Sequence, residues 1–216
     1  MGDLIDIVAD DEHRLQAYLA VPAGSPRGGL VVVQTAFGVD DYLCGVCDAY
    51  AADGYAAIAP ALYDRQQRGA VLAHDTAGMQ AAQILRSGFV WAETLRDIEA
   101  ARSHVARFGR VGVIGFCVGG SVAWLSAQSL SFAAAASYYG KDVVEFLDRA
   151  PKCPTILHFG DADRLIPISD VERIRAAFPD IPNFLYNAGH GFDANVPEAA
   201  RIARERTLGL MRQHVG

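Results

Sequence analysis

The sequence predicts an α/β fold: a mainly parallel sheet with helices on both faces, preceded by an antiparallel hairpin. Three observations predict it. Short apolar runs rich in β-branched residues recur along the 216 residues, and continuous apolar character marks strands covered on both faces. Longer segments of helical period separate these runs, which is the pattern of parallel strand–helix–strand units. Near the N-terminus apolar and polar residues alternate instead, as a half-buried edge hairpin requires.

Taken in order, "LIDIVAD" and "HRLQAYLAVP" (13–22) form the hairpin. The core strands follow in "GGLVVVQTAFG" (28–38), "GYAAIAP" (54–60), "RVGVIGF" (110–116), "SFAAAASYYG" (131–140), "CPTILHFGD" (153–161) and "PNFLYNAG" (182–189). Helices are expected near 40–53, 76–85, 91–108, 118–130, 142–149, 169–178 and 197–214. Ser169 followed by Glu172 reads as a capping box. In the last helix Ile202, Leu208, Leu210, Met211 and Val215 make an imperfect apolar face. Residues 61–90 are the least regular stretch and the expected lid or pocket wall. With no internal repeat, low-complexity tract or linker, one domain over 1–216 is expected.

Composition excludes several classes. Hydrophobic residues make up 51% of the chain, enough for a sizeable core. No apolar stretch reaches the roughly 18 to 20 residues that span a bilayer. The acidic start "MGDLIDIVADDEHR" does not have the form of a secretory signal. A net charge of −6 without a basic cluster argues against nucleic acid and anionic membranes as partners. A small-molecule substrate and a monomer or small homo-oligomer are expected instead. Only Cys44 and Cys47 among four cysteines are close in sequence, so a reduced cytoplasmic setting is the default.

The stretch "VGVIGFCVGGSV" (111–122) carries the chemistry. Gly115-Phe116-Cys117-Val118-Gly119 has the form of a nucleophile elbow, G-x-S-x-G, with cysteine in place of serine. Small neighbours allow the sharp strand-to-helix turn that pushes the central side chain out at the top of the sheet. Cys117 also opens a helix, where backbone N–H groups and the helix dipole favour an anion. The competing reading is an inert cysteine beside a tight turn. A thiol nucleophile needs a base, and the base an orienting acid, in the chain order nucleophile, acid, histidine. His158 sits inside a strand and reads as a hydrogen-bonded core residue, and His214 is near the C-terminus. His190, in the glycine-flanked "NAGHGF" after the last strand, is the candidate base. Asp161 and Asp163 of "GDADRLIP" compete as the acid. Gly160, Asp163 and Pro167 match the usual spacing, which favours Asp163.

The chain resembles the dienelactone hydrolase family of the α/β-hydrolase fold. The similar blocks are "QTAFG", "GYAAIAPALYDRQ", "LRDIEAAR", "VGVIGFCVGG", "SYYG", "LHFGDADRLIP", "AGHGF" and "ERTLGLM", in family order from about residue 28 onward. The resemblance implies a Cys117–His190–Asp163 triad and an oxyanion hole from the backbone N–H groups of Val118 and Ala36. It implies a cofactor-free hydrolase of small esters or lactones acting through a thioester acyl-enzyme, with no metal. Two departures stand out. Relatives that open dienelactone carry a glutamate where Thr35 stands. They also bind the lactone carboxylate with two arginines, at positions that count to Met79 and Ala194. Arg86 or Arg65 is a candidate replacement, and Thr35, Phe37, Met79, Arg86 and Phe192 are the candidate pocket residues.

Other readings compete. Cys44-Gly45-Val46-Cys47 has the spacing of a redox or zinc motif, but on one helix without further ligands it reads as two small buried residues. Cys153 begins a strand and reads as core, as Trp91 and Trp124 read as packing. A cysteine amidotransferase would carry glutamate two residues after the histidine, where Phe192 stands. Attack on activated phosphotriesters by the same triad is an alternative activity, and a hydrolase fold kept only for binding is another.

Overall fold

A computed structural model describes all residues, 1–216. They form two compact units, Met1–Val111 and Gly112–Gly216.

In the first unit, β1 (Asp3–Val8) and β2 (Arg14–Ala20) pair antiparallel from Asp3↔Leu19 to Val8↔Arg14. β2 pairs antiparallel with β4 (Ala56–Pro60), and β4 pairs parallel with β3 (Gly29–Val33), giving the order β1-β2-β4-β3. β3 and β4 are buried at every position, whereas β1 is largely exposed. The continuous and the alternating apolar patterns therefore separate central strands from the edge. Helix α1 (Asp41–Ala52) connects β3 to β4 and is capped by Asp40, whose carboxylate accepts from Leu43 N–H at 2.9 Å. Between β4 and α3 (Trp91–Val105) the chain makes a 3-10 turn over 62–65 and helix α2 (Thr76–Ser87).

In the second unit all four strands are parallel, in the order β5 (Val111–Phe116), β6 (Ala134–Tyr138), β7 (Thr155–Gly160), β8 (Asn183–Tyr186). Parallel pairing brings the C-terminal ends of all four strands to one edge, where the loops carrying Cys117, Tyr139, Asp163 and His190 leave the sheet. The helices are α4 (Val118–Ser129), α5 (Ile168–Ala177), the single turn α6 (Phe192–Asn195) and α7 (Pro197–His214). No helix of the chain is long and apolar enough to cross a membrane.

Two expectations are corrected. The helix expected over 142–149 is only a 3-10 turn, Lys141–Glu145. It ends at Phe146, whose backbone is non-helical (φ −117°, ψ 53°), and the chain that follows is held by α4: Phe146 O accepts from Trp124 Nε1 (3.1 Å) and Gln128 Nε2 (2.9 Å), and Gln128 Nε2 also reaches Arg149 O. The capping box at Ser169 does not form. Pro167 occupies the cap of α5, its carbonyl accepting from Asp170 N–H at 2.9 Å, so Ser169 lies within the first turn.

His158, inside β7, is fully buried. Its Nδ1 meets the Tyr186 hydroxyl at 2.8 Å and its Nε2 meets Thr207 Oγ1 at 3.1 Å. Burial, with nearby Arg206, pushes its pKa down to about 3. It is a neutral core histidine that ties α7 to the sheet.

Candidate active site

The second unit assembles three of the candidate residues. β5 ends at Phe116, and Cys117 follows with φ 57° and ψ −119°. A positive φ at a non-glycine residue costs about 1–3 kcal/mol and persists only where the surroundings enforce it. Here they do. The Cys117 amide donates to Tyr138 O on β6 at 3.0 Å. A Cβ at Gly115 would stand 1.8 Å from Gly119 O, and one at Gly120 2.4 Å from Tyr138 O. Only a chain that is small at these positions can turn this tightly from strand to helix. Val118 then opens α4, where Gly120 N–H already donates to Cys117 O at 2.9 Å and the N–H groups ahead of it have no intrahelical acceptor.

His190 lies in the loop after β8, just before Gly191, which adopts φ 69°. Its Nε2 is 3.2 Å from Cys117 Sγ, and its Nδ1 is 2.7 Å from Asp163 Oδ2. The Asp163 side chain is fully buried, and its second oxygen accepts from Leu165 N–H at 2.8 Å. Burial alone would lower the His190 pKa. The hydrogen bonds and charges of Asp163 and Cys117 outweigh it and raise the value to about 9. Asp161 is exposed and instead stitches two loops together, accepting from Ala188 N–H at 3.3 Å.

The other three cysteines are free thiols in unfavourable surroundings for a thiolate. Burial and the neighbouring Asp40, Asp41 and Asp48 push Cys44 up to about 11. Burial raises Cys47 well above the ordinary range, and raises Cys153 as well.

The first unit carries the remaining candidates. Thr35 Oγ1 accepts from Phe37 N–H at 3.3 Å, Ala36 O accepts from the Tyr63 hydroxyl at 3.0 Å, and Phe37 stacks on His74 with ring centroids 3.9 Å apart. Met79, on α2, is half exposed. Arg86, also on α2, lines a groove of about 320 Å³ with Gln83, Ser87, Phe89 and Trp91. Arg65 is corrected as a candidate clamp. Its guanidinium is engaged by Asp97 (2.7 Å to each oxygen) and by Asp11 (2.9 and 3.2 Å). In the second unit, Phe192 is corrected as a pocket wall: it is fully buried against Tyr138, Tyr139 and Tyr186.

Two residues beside His190 had no role in the sequence reading. Tyr139 directly follows β6, and its ring centroid is 4.7 Å from that of His190. Asp193 accepts the Tyr139 hydroxyl. The available signal was position: like Cys117 and Asp163, Tyr139 stands just past the C-terminal end of a parallel strand.

Mostly parallel strands flanked by helices, with a strand–elbow–helix turn, define an α/β hydrolase fold. Within that class, the model of the dienelactone hydrolase family matches residues 15–215, and the chain belongs to that family. It is 31% identical to the carboxymethylenebutenolidase of Pseudomonas putida, over 96% of this chain and 94% of the relative. A crystal structure from Klebsiella pneumoniae subsp. pneumoniae, of a protein assigned as a dienelactone hydrolase, is 27% identical, with a TM-score of 0.83 over 98% of this chain and 100% of that one. A dienelactone hydrolase-like promiscuous phosphotriesterase from metagenomic libraries shares the fold at 18% identity, with a TM-score of 0.73 over 100% of this chain and 99% of that one.

Proposed function

We propose that the chain is a cofactor-free hydrolase of small esters or lactones that works through a Cys117–His190–Asp163 triad and a thioester acyl-enzyme. The observation that carries this reading is the single imidazole bridging Cys117 Sγ at 3.2 Å and Asp163 Oδ2 at 2.7 Å. Family membership supports the substrate class. One domain, acting in the cytoplasm, completes the proposal.

In the mechanism, His190 Nε2 takes the thiol proton of Cys117, and the imidazolium so formed donates a hydrogen bond from Nε2–H to the thiolate. The thiolate attacks the carbonyl carbon, and the C=O electrons move onto oxygen. The Val118 N–H donates to this oxyanion; the second donor, the Ala36 N–H, is proposed from the family resemblance. Such a donor contributes about 3–4 kcal/mol in comparable sites. As the intermediate collapses, the C–O bond to the alcohol breaks and the Nε2 proton passes to the departing alkoxide. Neutral His190 then takes a proton from water, the hydroxide adds to the thioester, and the C–S bond breaks to return the thiolate. Asp163 holds the Nδ1–H tautomer and stabilises the imidazolium throughout. The test is Cys117→Ala with a chromogenic ester, where the proposal requires loss of both burst and turnover.

The shared fold with a promiscuous phosphotriesterase favours one second reading. The same thiolate would attack phosphorus in an activated triester and expel the aryl alkoxide, after which water must cleave the S–P bond. Release of more than one aryl alcohol per protein would establish turnover, and a single stoichiometric release would limit the chain to trapping. A fold kept only for binding is the outcome if neither ester nor triester is turned over.

A further inference from the structure

We infer that Tyr139 and Asp193 form a positioning pair that holds His190 in line with Cys117; the inference rests on the proposed triad. Asp163 fixes only one atom of the imidazole, Nδ1, at 2.7 Å. A ring held at one point can still swing about that bond and carry Nε2 away from the sulfur. Tyr139 supplies the missing restraint. Its ring lies against the imidazole at a centroid distance of 4.7 Å and an interplanar angle of 60°, and edge-on against Phe192 at 5.4 Å. Its hydroxyl donates to Asp193 on α6, the turn that follows His190. Tyr139 thus holds the His190 segment at two points, by its ring and by its hydroxyl.

The backbone supports the same reading. Tyr139 has φ 39°, one of only three positive-φ positions outside glycine, and Cys117 is another. Its amide is fixed to His158 O at 2.7 Å, and its side chain is buried. Strain at a tyrosine persists only where surrounding contacts over-determine it, and such positions cluster at functional sites. The two strained residues follow neighbouring parallel strands, β5 and β6, whose last residues pair as Phe116↔Tyr138. One presents the sulfur and the other braces the histidine. The ionisable groups around His190 are then Cys117 from the start of α4, Asp163 from the loop after β7, Tyr139 from the end of β6 and Asp193 from α6. Because the Tyr139 hydroxyl is committed to Asp193, the pair acts through His190 and not on substrate.

The test uses the full chain and a neutral chromogenic ester, with Cys117→Ala alongside. Tyr139→Phe keeps the ring and removes the bond to Asp193. It should lower kcat about tenfold, the loss of one net hydrogen bond, with KM within about twofold. Asp193→Ala should do the same, and Asp193→Asn, whose amide oxygen still accepts, should recover most of that loss. The double variant Tyr139→Phe/Asp193→Ala should be no worse than either single one, because both remove the same contact. Loosened bonds to Asp163 and Cys117 should also move the His190 titration, followed by NMR, downward by about half a unit or more. Wild-type kcat and an unmoved titration in Tyr139→Phe and Asp193→Ala, beside an inactive Cys117→Ala, would overturn the pair while leaving the triad. Retained turnover in Cys117→Ala would overturn the triad itself.

Discussion

At the residue scale the account turns on one sulfur and the imidazole 3.2 Å from it. Cys117→Ala removes the atom that makes the covalent bond, and turnover should fall by as much as about a millionfold. Asp163→Asn should cost a few thousandfold or more, because an amide favours the wrong tautomer and carries no charge to balance imidazolium; steady-state kinetics on a neutral ester checks both. If Asp161→Asn lost activity and Asp163→Asn kept it, the acid would be misassigned. The pH profile has a definite sign. His190 is raised to about 9 from an ordinary value near 6.5, so its favourable contacts are fully present below about 6.5 and are lost as pH rises through about 9. The proton for the leaving alkoxide disappears in the same window, so kcat/KM should fall above about pH 9. In Asp163→Asn that limb should move to lower pH. Alkylation by iodoacetamide at neutral pH should favour Cys117, since burial raises the pKa values of Cys44, Cys47 and Cys153; mass mapping after partial labelling reads this directly. Equal labelling of all four would deny any activation of Cys117.

At the scale of elements, the elbow and the α7 anchor are where the fold is most sensitive. Thr207 Oγ1 is shared by His158 Nε2 and the Tyr138 hydroxyl, at 3.1 and 2.6 Å. Thr207→Val strands both groups in the core and should cost about 1–3 kcal/mol in chemical denaturation. His158 is held neutral, its pKa lowered to about 3. Its contribution to stability is therefore present above about pH 6.5 and is lost as pH falls from there toward about 3. His158→Gln should flatten the acid limb of the stability profile, and an unchanged slope would mean that His158 does not titrate on unfolding. Most elements were legible in the sequence because they are buried on both faces: "LVVV", "VGVIGF" and "AAAASYY" are continuous apolar runs of strand length. Cys117, His190 and Asp163 were legible because the G-x-C-x-G turn and the strand-end loops fix their order, and the structure brings them within hydrogen-bond reach. The failures were failures of long-range competition. Nothing local to 142–149 reveals that Trp124 and Gln128 will take its carbonyls. Local pattern likewise cannot show that Arg65 is consumed by Asp97 and Asp11, or that Tyr139 reaches a carboxylate 54 residues later.

At the scale of the whole molecule, the question is which substrates a −6 chain of this family turns over. Met79 and Ala194 stand where the resemblance places two arginines, and Arg65 is occupied. A carboxylate substrate that loses such partners gives up about 2–5 kcal/mol, or roughly thirtyfold to several thousandfold in kcat/KM. Small neutral esters should therefore be turned over faster than their carboxylate analogues. Arg86 is the remaining basic candidate. A wild-type preference for the acid that vanishes in Arg86→Met would show that the clamp has moved to α2 and would end the neutral-pocket reading. The expectations about turnover presuppose a covalent intermediate on Cys117. Its most direct test is the intact mass of protein quenched in acid within the burst phase after mixing with an activated ester, followed by peptide mapping. The account predicts one acyl group per chain, released by hydroxylamine, on the peptide carrying Cys117, and none in Cys117→Ala. Turnover without an adduct, or an adduct on any other residue, would contradict it.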